Sequence, residues 1–311
     1  MTAFQENKDA VKQPVFGKEG KTLTAGQLKK KKAAIQRLMR AVIQAIFFIT
    51  MPSAFVAGFS GVKYIFNQIG TGSVLEVGSF LITLIGLVIF TILFGRYFCG
   101  YVCAFGTLGD FVFWISGFVQ AKIFRKKKQF SLPESCFSVC QKIKYLILTL
   151  IVVFCALGIY GKFSGTSPWD VFSMMTAGRF NLKGYAVGMI LFLAILVGMA
   201  LQERFFCQFL CPMGAVFALL PILPISVLKR NEASCRKGCS LCQKKCPVHL
   251  KLTDDSLLSG ECIRCGKCAA DCPGENIQFT GRLTGNELWL VIVQAVIFFI
   301  MGTLLGLCRF I

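Results

Sequence analysis

The sequence predicts a mostly α-helical, polytopic membrane protein. About five transmembrane helices would form a parallel two-fold internal repeat, with a small α+β insert between the fourth and fifth. Three observations predict this: apolar blocks of bilayer length, a motif that recurs 108 residues on, and eight cysteines within residues 235–272. Hydrophobic residues make up 55% of the 311, and the mean hydropathy is +0.66. Those values exceed what a soluble domain carries.

Residues 1–36 are polar and lysine-rich, too long and charged for the leading part of a signal peptide. They are expected to be a retained cytoplasmic tail. Residues 37–121 are the first membrane repeat, with spans near 38–60 and 74–95. A basic cytoplasmic loop, 122–143, leads to the second repeat, 144–228, with spans near 144–163 and 184–202. The cysteine-rich insert occupies 229–287, and residues 288–311 form the last span. Asp110 and three glycines interrupt the apolar stretch 104–121, and Pro212, Pro221 and Pro224 interrupt 212–228. Both read as re-entrant or interfacial segments on the cytoplasmic side.

The net charge of +19 would suggest nucleic acid in a soluble protein. Its distribution says otherwise. Lys and Arg cluster in 1–40, 121–145 and 203–287, while the intervening loops carry only Lys63 in one and Lys162, Arg179 and Lys183 in the other. This is the positive-inside pattern. It puts the N-terminus and the insert in the cytoplasm, with the C-terminus outside, and the expected location is a bacterial inner membrane. The run Lys29–Lys32 serves as a topology signal with secondary contact to anionic lipid.

The insert reads Cys235-x3-Cys239-x2-Cys242-x3-Cys246-Pro and then Cys262-x2-Cys265-x2-Cys268-x3-Cys272-Pro. The second run has the bacterial ferredoxin spacing, in which three close thiolates hold one [4Fe–4S] cluster and the fourth crosses to the other. Cluster 1 is therefore assigned Cys235, Cys239, Cys242 and Cys272, and cluster 2 Cys262, Cys265, Cys268 and Cys246. The first run has one extra residue in its opening gap, which sets Cys235 apart. Zinc ribbons and disulfides also use clustered cysteines. Zinc has no use for a doubled, proline-punctuated pattern, and a reducing compartment argues against disulfides.

A second thiol constellation lies in the repeats. Arg96-Tyr-Phe-Cys99-Gly-Tyr-Val-Cys103-Ala-Phe-Gly106 aligns without gaps on Arg204-Phe-Phe-Cys207-Gln-Phe-Leu-Cys211-Pro-Met-Gly214. Each copy presents two thiols on one helical face. A pseudo-twofold can bring Cys99, Cys103, Cys207 and Cys211 together as a further metal site at the inner membrane boundary, with Arg96 and Arg204 offsetting charge. One shared cluster, two separate pairs and reversible disulfides all fit the pattern.

Other features are weaker. Cys136 and Cys140 form a pair without a repeat partner, and Cys155 and Cys308 read as packing residues. Asp170, in Ser167-Pro168-Trp169-Asp170, reads as an interfacial turn with a Trp anchor, and Gly302-x3-Gly306 as a helix-docking face or ordinary small residues. His249 is the only histidine, so a bis-histidine haem within this chain is excluded. No dinucleotide fingerprint, P-loop or hydrolytic triad is present, and no catalytic residue is assigned.

Two R-[FY]-F-C-x3-C motifs closing pairs of spans, followed by a double ferredoxin run, resemble the membrane polyferredoxin family, which includes NapH and the membrane half of NosR. The resemblance covers about residues 38–280 and implies electron transfer between cytoplasmic clusters and a quinone or outer-side partner. Ala104 departs from the family proline after the second thiol, which Pro212 keeps. The expected protein is one subunit of an oxidoreductase complex, not a stand-alone enzyme. Its partners would be a quinone, an outer-side reductase or flavoprotein, and a cytoplasmic ferredoxin- or flavodoxin-like donor steered by Arg236, Lys237, Lys244, Lys245 and Lys251. The alternative is a redox-sensing or metalloenzyme-assembly membrane ferredoxin.

Overall fold

The structure, a computed structural model, describes residues 25–123, 134–163, 165–178, 184–223, 227–231, 235, 238–250, 259–280 and 287–308. Residues 1–39 and 40–311 form separate compact units. The described part of the first is the opening of helix α1 (Ala25–Thr50), where Lys30, Lys31 and Lys32 are exposed.

The expected span 38–60 is not one helix. Helix α1 stops at Thr50 and α2 runs Ala54–Thr71. Pro52 lies between them, and the residue before a proline is pushed out of the α region. Gly72, at φ +64, closes α2 with the Ser73 amide bonded back to the Gln68 carbonyl. The chain then folds back as α3 (Ser79–Phe94) against α2. Their approach requires Gly61, where a Cβ would lie 2.5 Å from the Phe80 carbonyl oxygen.

After α3 the chain makes one π turn, Phe98–Val102, and enters α4 (Ala104–Ile123). The stretch expected to be interrupted is thus one twenty-residue helix, because its glycines sit within the turns rather than ending them. The second half runs α5 (Glu134–Ala156), α6 (Pro168–Thr176), α7 (Ala186–Leu201), α8 (Phe205–Phe209) and α9 (Pro212–Leu219). Starts at 25 and 134, 79 and 186, 98 and 205, and 104 and 212 follow the motif offset closely. Helix α9 is shorter than α4 and ends before Pro221. The expected turn at Asp170 is the first turn of α6, and Trp169 is buried against Phe59, ring centroids 5.5 Å apart, rather than anchored at an interface.

Among the described residues two helical segments, Lys30–Thr50 and Phe137–Ala156, are long and apolar enough to cross a membrane. Ser79–Phe94, Ala186–Leu201 and Leu288–Leu304 are shorter apolar helices, the last within α12 (Glu287–Leu304). These helices keep large apolar side chains exposed, among them Ile85 and Ile89, Ile190 and Val197, and Val296 and Ile300. Buried phenylalanines fill the space between them, including Phe55, Phe98, Phe105, Phe206 and Phe298.

The insert is framed by the antiparallel pair β1 (Val227–Arg230) and β2 (Ile277–Thr280), in register Val227 to Thr280 and Arg230 to Ile277. Between them lie two single-turn helices, α10 (Leu241–Lys244) and α11 (Lys267–Ala270), carrying Cys242 and Cys268. Leu228, Ala269 and Ile277 pack with those two thiols as a small core.

Candidate metal centres

Cys99, Cys103, Cys207 and Cys211 are all buried, and they lie within electrostatic reach of one another. Local geometry brings them there. Cys99 rides on the π turn, whose wider spacing is closed by the Cys103 amide bonding the Phe98 carbonyl at 2.8 Å. Cys207 rides on α8, which begins from Arg204 in the left-handed region at φ 59. Such strain in a non-glycine residue persists only where surrounding contacts enforce it. Cys103 and Cys211 each precede a helix and accept from an amide three residues on, Gly106 and Gly214; the second contact is 3.1 Å. A thiolate in that position meets the positive end of the helix.

The arginines are exchanged between the halves. Arg204 approaches Cys207 (Nη1 to Sγ 4.0 Å) and Cys103, donates to the Cys99 carbonyl, and lies where a Cβ on Gly106 would be 2.3 Å from its Nη1. Arg96 lies beside Cys99 and Cys211, and a Cβ on Gly214 would be 2.9 Å from its Nη2. Each guanidinium therefore occupies room left by the glycine of the other half.

Asp110 anchors one of them. It takes a bidentate pair from Arg204 (Nε 2.8 Å, Nη2 2.6 Å) and further bonds from Arg40 and Gln44, both 2.8 Å. Two guanidinia within 2.8 Å match the acceptor geometry of a carboxylate here. On the other side Glu261, from the insert, accepts from Arg96 (3.1 Å), Lys144 and Tyr145 (2.7 Å).

In the insert, Cys235, Cys239, Cys242 and Cys272 line one cavity of about 140 Å³, with Arg230, Pro273, Gly274, Asn276 and Ile277. Cys246, Cys262, Cys265 and Cys268 are gathered as a second group within electrostatic reach of one another. Among the described residues no three His, Cys, Asp or Glu side chains converge as tightly as a single metal ion requires. A cubane holds its thiolates at its outer corners and needs wider spacing than a zinc ion. Four thiols are the donor chemistry an iron–sulfur cluster takes, and the core set has buried guanidinia and helix-start amides beside it.

The profile described as a 4Fe-4S binding domain matches residues 77–131 and 186–224. Those segments carry the paired thiols of the two halves, not the insert. An uncharacterised protein of Methanocaldococcus jannaschii is 30% identical over 247 residues, 78% of this chain and 95% of the relative. The chain belongs to the NapH/NosR-like membrane polyferredoxin family. The ferredoxin-type protein NapH of Escherichia coli is 26% identical over 215 residues, 65% of this polyferredoxin and 69% of NapH. The regulatory protein NosR of Pseudomonas aeruginosa is 26% identical over 185 residues, 57% of this chain and 24% of NosR. No solved structure matches.

Several residues of this polyferredoxin stand outside the thiol groups. Cys140 is half-buried on α5, and the Cys136 side chain lies outside the described residues, as do Arg236, Lys237 and Lys251. Cys155 is buried, Cys308 half-buried. Gly302 lets Met51 approach closely, whereas Gly306 closes α12 in the left-handed region with open space around it, so the two do not form one docking face. Arg40, Gln44, Lys144 and Glu261 escaped the sequence reading. One signal was available: the motif offset carries Asp110 onto Ala218, so the acid that holds Arg204 has no equivalent for Arg96.

Proposed function

We propose that this polyferredoxin is the membrane subunit of an electron-transfer complex, holding two [4Fe–4S] clusters in a cytoplasmic insert and a further cluster between its two halves. The single observation that carries this reading is the convergence of four buried thiols from two equivalent turns beside the insert. Bound clusters would supply one-electron storage. The chain's own residues do the rest. Cys235, Cys239, Cys242 and Cys272 hold cluster 1, Cys246, Cys262, Cys265 and Cys268 hold cluster 2, and Cys99, Cys103, Cys207 and Cys211 hold the third. Arg96 and Arg204 offset negative charge, and the phenylalanines around Phe105 and Phe206 exclude water. The apolar helices and the positive-inside charge pattern support a multi-span protein with N-terminus and insert in the cytoplasm and C-terminus outside.

The direct test is anaerobic iron and acid-labile sulfide content per chain, with EPR of the dithionite-reduced protein. The expected result is clearly more than the ~8 iron of two cubanes, with a signal that disappears in Cys99→Ser. Iron confined to the insert would overturn the third centre.

A quinone is the favoured partner on the outer side. A cavity of about 440 Å³ is walled largely by apolar groups, including Phe48, Pro52, Leu108, Phe172, Phe192 and Leu196, a size common for organic ligands. Phe172 and Phe192 touch Phe105 (centroids 4.9 and 5.9 Å), and Phe105 touches Phe206 (4.2 Å), the neighbour of Cys207. Leu108→Trp, which fills the cavity, is expected to slow cluster reduction by a quinol at least about tenfold, or ~1.4 kcal/mol, while dithionite reduction is unchanged. Equal quinol rates in variant and parent would remove the cavity from the path.

A further inference from the structure

We infer that Glu261 is the acid of a second, split copy of the Arg204–Asp110–Arg40 lock, and that it seats the Cys246/Cys262/Cys265/Cys268 group, not the other insert group, against the core thiols. The cluster assignments rest on the reading above; the lock itself does not. In the first copy the acid stands on α4 and joins Arg204 to Arg40 of α1. In the second, Arg96 stands in the motif place of Arg204, and Lys144 stands on α5 about one helical turn before Leu148, the position the motif offset gives for Arg40 of α1. The position equivalent to Asp110 is Ala218, whose methyl offers no charge.

The insert fills that gap. Gly260 packs so closely on Ala218 that a Cβ would lie 2.2 Å from the Ala218 carbonyl oxygen, and the next residue, Glu261, joins Arg96 to Lys144. Both cations have side chains only 1% exposed, and Glu261 is the carboxylate that both reach. A helical half without an acid of its own thus takes one from the insert. That contact fixes where the insert sits.

Neighbouring contacts give the same orientation. The Ile263 carbonyl lies where a Cβ on Gly100, beside Cys99, would be 2.3 Å away, and Tyr101 donates to the Cys265 carbonyl at 3.4 Å. From the second half, Gln208 donates to the Pro247 carbonyl, next to Cys246. Backbone flanking Cys246, Cys262 and Cys265 therefore rests on the two thiol turns. Among the described residues, the cavity of the other group is lined by the insert and its framing strands. Glu261 is a positioning residue: it ties the loop carrying Cys262 to the guanidinium beside Cys99 and Cys211.

The test is hydrogen–deuterium exchange of the full-length protein in lipid nanodiscs, with iron content measured on the same samples. In Glu261→Ala, exchange of residues 95–101 and 259–265 is expected to rise tenfold or more, with 272–277 unchanged. Glu261→Asp should recover most of the protection. Adding Ala218→Asp to Glu261→Ala returns an acid to the helical part. It should restore protection at 95–101 while leaving 259–265 exposed to exchange. Unchanged exchange in both segments of Glu261→Ala, at parental iron content, would overturn the lock, as would equal loosening at 272–277. A chain lacking the core cluster but showing the expected exchange pattern would reject the functional reading and retain the lock.

Discussion

Replacing Cys207 and Cys211 together by serine leaves the two insert clusters intact and abolishes electron flow across the membrane. Serine preserves size at both positions but is a poor ligand for iron held by soft thiolates. The insert's ligands lie elsewhere in the chain, so their EPR signals should persist at parental intensity. Flux in reconstituted vesicles, from a reductant inside to an oxidant outside, is the deciding measurement. A fall of about a hundredfold or more, corresponding to ~2.7 kcal/mol or more of lost barrier reduction, is expected. Parental flux would remove the core thiols from the wire. Cys155→Ser serves as control, since that buried thiol lies on α5 away from the four.

The second large effect is on stability. Asp110→Ala leaves Arg204 and Arg40 buried around an absent charge, at 0% and 8% side-chain exposure. Breaking a buried ion pair from one side costs about 3–5 kcal/mol. Asp110→Asn keeps two hydrogen-bonding groups on the same frame and should cost less. Both are checked by thermal unfolding in one detergent, with iron content followed in parallel. The alanine variant should also lose the core centre before the insert clusters, because Arg204 shares its hydrogen bonds between Asp110 and the Cys99 and Gly100 carbonyls. Equal stability of parent and Asp110→Ala would show that the pair carries no net weight.

Much of this was legible along the chain because the determinants are local. Cysteine spacing is a short-range property, so gaps of two and three residues group the three close thiols of each run, while the crossing of Cys246 and Cys272 was an expectation from the ferredoxin pattern. The recurrence of Arg, Cys and Gly in each motif likewise announced equivalent turns. What escaped was non-local or averaged away. Hydropathy over twenty residues smooths across Pro52, so α1 and α2 read as a single span. Trp169 looked interfacial from its neighbours in sequence, but Phe59, 110 positions earlier, buries it. Glu261 sits in a cysteine run that accounts for itself, and nothing adjacent hints that its partners are Arg96 and Lys144 on distant helices. Only the missing acid at Ala218 pointed to it.

The exchange of arginines has a further consequence. Arg96 fills the room at Gly214, and Arg204 fills the room at Gly106. A single half expressed alone would present one bare cavity and one guanidinium with nowhere to go. The two halves thus meet as the subunits of a dimer would, each supplying the side chain that fills the other. A bulkier residue at either glycine damages the opposite motif first. Recombination that swaps one half between relatives should succeed only when arginine and glycine travel as a crossed pair.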